Sequence, residues 1–264
     1  MGLLMAMGGA VALDGAAMAV FLDACAANGQ NVAILPTASA LPDAGAELAA
    51  VLTERGLRVN LLPVHSREQA NDPELVAVLR QAGAIFMTGG NQLRLTACLG
   101  GTLLHQAMLQ AWRAGAVVAG TSAGAAVLSA IMIAYGRSGS APRPGLAQFA
   151  PGLGFREDLI FDQHFRQRNR LGRLLYALAF NPGLLGVGVD ENTVAVLDGQ
   201  MVRVVGAGAV TIADGQSLKA NNVAEITNGL VAISGVMLHV LTSGSVFDVQ
   251  TRTASIPVVP LSVE

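Results

Sequence analysis

Ser122 stands in Gly120-Thr121-Ser122-Ala123-Gly124, a G-x-S-x-G pattern. An apolar run precedes it and a small-residue segment follows, so the serine sits where a strand turns into a helix. That setting presents a hydroxyl at the top of a sheet for attack on a carbonyl. The glycines let the chain turn without a Cβ clash, and the helix start adds a favourable dipole. The ordinary alternative is a small-residue helix start capped by Thr121 or Ser122.

A serine nucleophile needs a base, and the base needs an orienting acid. Of the four histidines, His65 follows a strand in a polar loop, His105 lies in a helical pattern and His239 alternates inside a late strand. Each of these has a structural reading. His164 lies in DQHFRQRNRLGRL, directly after the apolar run 159–161, and ligands gather at the carboxyl ends of strands in open α/β sheets. GVGVDEN ends a strand-like run in Asp190-Glu191. Neighbours in a strand point to opposite faces, so one of the two faces His164, and the spacing does not say which. The chain order Ser, His, acid differs from the Ser, acid, His order of the α/β-hydrolases. An oxyanion hole needs two amides. Ala123 offers one, and Gly90 in FMTGGNQLRL (86–95) offers the other, although Gly89-Gly90 also reads as a plain βα turn. If a helix begins soon after His164, Arg166, Arg170 and Arg173 recur at i, i+4 and i+7. Such a row is either a solvated basic face or a carboxylate-binding one.

The elements that must position these residues alternate. Apolar runs at 2–7, 31–36, 58–64, 84–87 and 116–119 read as buried strands, with helical patterns at 16–28, 44–55, 73–82 and 102–114 between them. A further helix is expected over 125–133, after Ser122. This rhythm predicts an α/β fold with a mostly parallel, doubly wound sheet. Beyond residue 186 the texture becomes β-rich, with Asp-Gly turns at 198–199 and 214–215. Those are hairpin signals, and they predict an antiparallel C-terminal extension of the same sheet. Residues 136–145 form the one clear long loop, and the whole of 1–264 reads as one domain.

Composition narrows the function classes. Of 264 residues, 52% are hydrophobic and 13% charged, which suits a large core and excludes a disordered chain. A net charge of −2 gives no field to attract nucleic acid or an anionic membrane, so neither partner is expected. Cys25 and Cys98 lack a metal or C-x-x-C spacing; they read as small buried hydrophobes and fit a cytoplasmic protein. The apolar start MGLLMAMGGAVALDG lacks the positive region of a signal peptide and reads as a first strand ending at Gly8-Gly9. Ala6 breaks the myristoylation pattern, and no run is long and apolar enough to suggest a spanning helix. With no dinucleotide or P-loop fingerprint, no H-E-x-x-H and no Cys/His cluster, neither a cofactor nor a metal is expected.

Four segments together, FMTGGNQLRL, GTSAGAAVLSAIMI, DQHFRQRNRLGRL and GVGVDENTVAVL, resemble the cyanophycinase family of serine peptidases. The likeness runs from the first strand to residue 214. It implies a class I glutamine amidotransferase-like, flavodoxin-like fold, shared with the aspartyl dipeptidases called peptidase E. It implies Ser122 as nucleophile, His164 as base and Glu191 as the acid, and places Gln92, Asp162, Gln163 and Arg173 in or near the substrate pocket. The activity it implies is hydrolysis of cyanophycin, a polyaspartate carrying arginine on its side-chain carboxyls, to β-Asp-Arg dipeptides by a homodimer. The sequence departs from the pattern at Val11 and Ala12, where acidic residues are usual, and at Asn91, where aspartate is common. Those departures leave the catalytic set intact and keep open a peptidase of short aspartyl or isoaspartyl peptides; a rival of another class is a catalytically silent binding protein on the same scaffold.

Overall fold

In the computed structural model, which describes residues 1–257, the alternating first half builds a parallel sheet. In chain order it contains β1 (Leu4–Met7), α1 (Ala16–Ala27), β2 (Asn31–Leu35), α2 (Ala46–Glu54), β3 (Arg58–Leu61), α3 (Pro73–Arg80), β4 (Ala84–Met87), α4 (Gln92–Leu99), α5 (Leu103–Arg113), β5 (Val117–Thr121) and the single turn α6 (Ala123–Ala126). The strand order β1-β5-β4-β2-β3 is parallel throughout. Residues alternate between the two faces, as a pleat requires. Leu4 and Ala6 of β1 join the core beneath α3, α4 and α5, while Met5 and Met7 join the core beneath α1 and α2. Burial on both faces is why β1, β2, β4 and β5 read as apolar runs, whereas the edge strand β3 is only half-buried. Local chemistry starts three of the helices: Asp72, Asn91 and Thr102 accept backbone N–H groups as N-caps of α3, α4 and α5, the usual work of such residues. Asn91, the departure from the family pattern, therefore serves as a cap.

The second half adds β6 (Ile131–Gly136), β7 (Ala147–Pro151), β8 (Leu159–Gln163), α7 (Leu171–Phe180), β9 (Leu185–Val189), β10 (Thr193–Asp198), β11 (Met201–Gly206), β12 (Ala209–Asp214), β13 (Ala220–Asn221), β14 (Ile233–Ser234), β15 (Met237–Thr242), β16 (Val246–Asp248) and β17 (Thr253–Ser255). Strands β10, β11, β16 and β17 extend the parallel sheet antiparallel from β1, as expected. Four more form a second sheet, β15-β12-β9-β8, while β6-β7 and β13-β14 are separate two-stranded pairs; the core of the second sheet with α7 includes Ile160, Phe165, Leu174 and Ala213. The strand leading to His164 belongs to this second sheet.

Three sequence expectations change. The helix expected over 125–133 stops after one turn. The carbonyls of Val127 and Leu128, which would carry it on, accept the amides of Leu153 and Arg156, and the β-branched and aromatic run 131–136 pairs with β7 instead. The turn at Asp198-Gly199 joins β10 to β11 as predicted. Asp214-Gly215 makes no hairpin: Asp214 Oδ1 accepts the amide of Gln216 over a 3-10 turn, and β12 pairs with the distant β15. The helix after His164 begins only at Leu171, so Arg166, Arg170 and Arg173 do not share one helical face. The one-domain reading of 1–264 includes residues 258–264, which lie outside the described residues. No helix among the described residues is long and apolar enough to cross a membrane.

Candidate active site

Ser122 follows β5 at the turn into α6, with φ 52° and ψ −109°. A non-glycine residue there stores on the order of 1–3 kcal/mol of strain and persists only if its surroundings dictate the conformation. They do: the Ser122 amide donates to Met7 O at 3.0 Å, and its carbonyl accepts from Ala125 and Ala126, both at 3.1 Å. Gly124 lets α6 lie against β4, since a Cβ there would press on the Met87 backbone. The elbow aims Ser122 Oγ at His164 Nε2, 2.9 Å away. On the far side of the ring, His164 Nδ1 lies 2.6 Å from Glu191 Oε1.

The end of β1 holds all three groups. Met7 O receives the Ser122 amide, Gly8 O receives the His164 amide at 2.7 Å, and Gly9 O receives the Asn192 amide, next to Glu191, at 2.9 Å. Gly8 and Gly9 have no room for side chains. A Cβ on Gly8 would strike the Asp190 carbonyl, and one on Gly9, whose φ is +96°, would fall within the His164 ring. Sequence reading took Gly8-Gly9 only as the end of a strand. The available signal was a glycine pair directly after a buried strand, the same signal that drew attention to Gly89-Gly90.

Glu191, and not its neighbour, meets His164. Asp190 is buried, and its Oδ1 and Oδ2 accept the amides of Arg166 and Ala209, each at 3.0 Å. Both residues follow β9 in a turn, so strand alternation could not have ranked them. Burial pushes the His164 imidazole below the usual histidine range. The hydrogen bond and charge of Glu191 oppose that shift, and Arg168 and Arg170 add to it. A ring with a depressed pKa is neutral at pH 7 and free to accept a proton. The amides of Gly90 and Ala123 have no protein acceptor among the described residues. Gly89 and Ser122 both line a cleft of about 850 Å³ that reaches His164; Gly90 stands just behind, packed on the Ala38 carbonyl.

The remaining candidates lie away from that cleft. Gln92 begins α4 and donates to Ile133 O at 3.1 Å. Asp162, buried in β8, takes a two-pronged contact from Arg173, with Arg173 Nε 2.7 Å from Asp162 Oδ2 and the second prong on Oδ1. Arg170 contacts both the carbonyl and side-chain oxygens of Gln163. The Arg173 guanidinium, read from sequence as a carboxylate clamp, is thus engaged by the protein's own carboxylate and is itself 3% exposed. Only Arg166 is a solvated arginine of that row, with Nε 3.2 Å from Asp190 Oδ2. Two of the other histidines have structural surroundings: His105 Nε2 lies 2.8 Å from Leu153 O, and His239 packs on Phe247; His65 is exposed. Both cysteines are buried and free, and burial pushes the Cys25 thiol up to about 12. No cluster of potential metal ligands occurs among the described residues.

Comparison with known proteins gives the family of the chain. The model of peptidase family S51 matches residues 4–205. A protein of Synechococcus elongatus named cyanophycinase is 41% identical over 226 residues, covering 84% of this chain and 70% of the relative. A cyanophycinase of Geminocystis herdmanii is 39% identical over 226 residues, covering 84% and 83%. A crystal structure of a peptidase from an acI-B1 Actinobacterium superposes with a TM-score of 0.68 at 25% identity, covering 94% of this chain and 97% of that one.

Three outcomes are expected. Glu191→Gln should lower kcat for peptide hydrolysis by about 10²–10⁴. Because Glu191 holds the His164 pKa up, its loss should also move the acid limb of kcat/KM to lower pH; a limb that stays put in pH–rate profiles would contradict the pairing. Asp190→Asn, which can accept only one of the two amides well, should instead cost about 1–3 kcal/mol in urea unfolding.

Gly9→Ala should lower kcat/KM by about 100-fold through displacement of the imidazole, with KM little changed. Steady-state kinetics showing a KM effect alone would place Gly9 in substrate binding.

Arg173→Met leaves Asp162 buried without its main partner and should cost about 3–5 kcal/mol of stability. Arg166→Met, at the surface, should cost no more than about 1 kcal/mol. Equal unfolding midpoints for the two variants would refute the distinction.

Proposed function

Since the chain belongs to peptidase family S51, in its cyanophycinase branch, we propose that it is a serine exopeptidase that hydrolyses cyanophycin to β-Asp-Arg dipeptides. The observation that carries this reading is the unbroken Ser122–His164–Glu191 chain, with contacts of 2.9 and 2.6 Å, at the wall of the cleft.

Ser122 Oγ attacks the backbone carbonyl of an aspartyl residue while His164 Nε2 takes its proton. Glu191 stabilises the imidazolium through Nδ1 and holds the ring in the tautomer that leaves Nε2 free to accept. The developing oxyanion is met by the amides of Gly90 and Ala123, which require no reorganisation as charge builds. His164 then protonates the leaving amine, and the ester on Ser122 remains. Water, deprotonated by the same imidazole, attacks that ester, and Ser122 recovers its proton as the dipeptide leaves. The protein needs no cofactor for these steps. Asp162, Gln163 and Arg173 support the base from behind: they tie the end of β8 to α7 and so set where His164 emerges. Gln92 likewise ties α4, beside the oxyanion turn, to β6.

We further read residues 1–264 as one catalytic domain acting in the cytoplasm as a homodimer. Two buried, unpaired thiols suit a reducing compartment. The edge strand β15 exposes Met237, Leu238 and Val240, an apolar edge of the kind that a second copy covers.

The test is to incubate the purified protein with insoluble cyanophycin and, separately, with aspartyl and isoaspartyl dipeptides, and to identify products by mass spectrometry. Release of β-Asp-Arg from the polymer, abolished in Ser122→Ala, is expected. Cleavage of dipeptides alone would make it a short-peptide peptidase. Turnover of neither would make it a binding protein on a peptidase scaffold.

A further inference from the structure

The cleft at Ser122 has a one-sided charge. Among the described residues, the charged or titratable ones lining it apart from His164 are Asp14 and Glu47, and no arginine or lysine reaches it. The two acids come from separate elements, Asp14 from the loop between β1 and α1 and Glu47 from the first turn of α2. Both are exposed, and among the described residues neither is held in an ion pair. The wall they share is apolar and includes Val11, Leu13, Leu48, Val51 and Phe86. The arginines that follow His164 are absent from this lining, and Arg170 and Arg173 are engaged with Gln163 and Asp162.

We propose that Asp14 and Glu47 bind the guanidinium of the arginyl branch carried at the scissile bond, and that this pairing makes the enzyme selective for cationic-branched aspartyl chains. The inference rests on the cyanophycin reading above and names what its substrate specificity depends on. A guanidinium offers planar paired donors that match a carboxylate, and its long stem packs along apolar surface while the head stays with charge. Two carboxylates in a concave site concentrate cations and repel anions. An aspartyl peptide without the arginyl branch brings only negative charge to an acidic cleft, so the same residues that recruit the branched chain disfavour the bare one. The cleft, at about 850 Å³, has room for a ligand larger than one amino acid. The loop that carries Asp14 is fixed to the catalytic turn, with the Ala12 amide 3.2 Å from Asn192 Oδ1 and the Asn192 amide 2.9 Å from Gly9 O. Charge recognition and the His164–Glu191 pair therefore share one rigid support.

The test uses synthetic oligomers of β-Asp-Arg units and the same oligomers with citrulline, a neutral isostere, in place of arginine. The wild-type enzyme should hydrolyse the arginyl oligomer with a kcat/KM about tenfold or more above that of the citrullyl one, and Asp14→Asn/Glu47→Gln should bring the ratio close to one. The losses should fall on KM more than on kcat. Calorimetry on Ser122→Ala should show the same preference in affinity, removed when the two acids are neutralised and weakened by added salt. A preference that survives the double substitution, or none in the parent, would overturn the proposal. If the wild type hydrolyses neither oligomer, the cyanophycin reading fails, and calorimetry on Ser122→Ala still decides the pairing. Both acids are exposed, so the variants should fold, and unchanged unfolding midpoints would establish that.

Discussion

Three consecutive carbonyls at the end of β1 hold the site together. Met7, Gly8 and Gly9 receive the amides of Ser122, His164 and Asn192 in turn. Ser122 comes from the parallel sheet, whereas His164 and Glu191 follow strands of the second sheet. Nothing local in either sheet sets the distance between them. A short stretch of backbone does, because peptide carbonyls spaced by covalent geometry are a rigid ruler. The glycines at 8 and 9 are part of the same device, since His164 and the Asp190 carbonyl occupy the space where their side chains would stand.

That support explains how strain survives at the centre. Ser122 and His164 both have positive φ, at 52° and 46°, and relaxation of either would carry its side chain off line. The hydrogen bonds from β1, together with the Ala125 and Ala126 amides that donate to the Ser122 carbonyl, keep the backbone where the hydroxyl and imidazole meet. The electrostatics follow from the same packing. Burial lowers the His164 pKa and Glu191 moderates the shift, so the ring rests neutral yet gains a partner when it becomes charged. Its cost in folding stability is that of a partly buried pair, which the surrounding apolar core offsets.

The polar residues behind the site have a different task. Asp162 and Arg173 lie in the second sheet and α7 with almost no access to water. A buried ion pair of this kind adds little net stability but punishes any arrangement that separates its members. It makes the approach of β8 to α7 specific, and β8 delivers His164. The charged groups that remain open to the cleft, Asp14 and Glu47, stand on the other side, where the parallel sheet and its first two helices meet solvent.

Much of this was legible in the residues. Burial on two faces writes itself as apolar runs, so the parallel strands and four of their helices, α1, α2, α3 and α5, could be placed within a few residues, whereas α4 (Gln92–Leu99) was not expected. The G-x-S-x-G turn after such a run singled out Ser122, and the position behind another run singled out His164 among the four histidines. Those are local signals, carried by periodicity and by glycine. What the tertiary structure decided depends on partners far away in the chain. Asp190 and Glu191 are adjacent and chemically alike, and only the amides of Arg166 and Ala209 turn the first inward and leave the second for His164. The segment after α6 has helix-compatible composition, yet the 153–156 loop takes its carbonyls and β7 pairs with it. Arg173 looked like a free clamp at helical spacing until Asp162, eleven positions earlier, met it inside the core. A one-dimensional pattern records how often a residue is buried; it does not record which buried group it meets, because that is fixed by the packing of two sheets that the chain visits in turn.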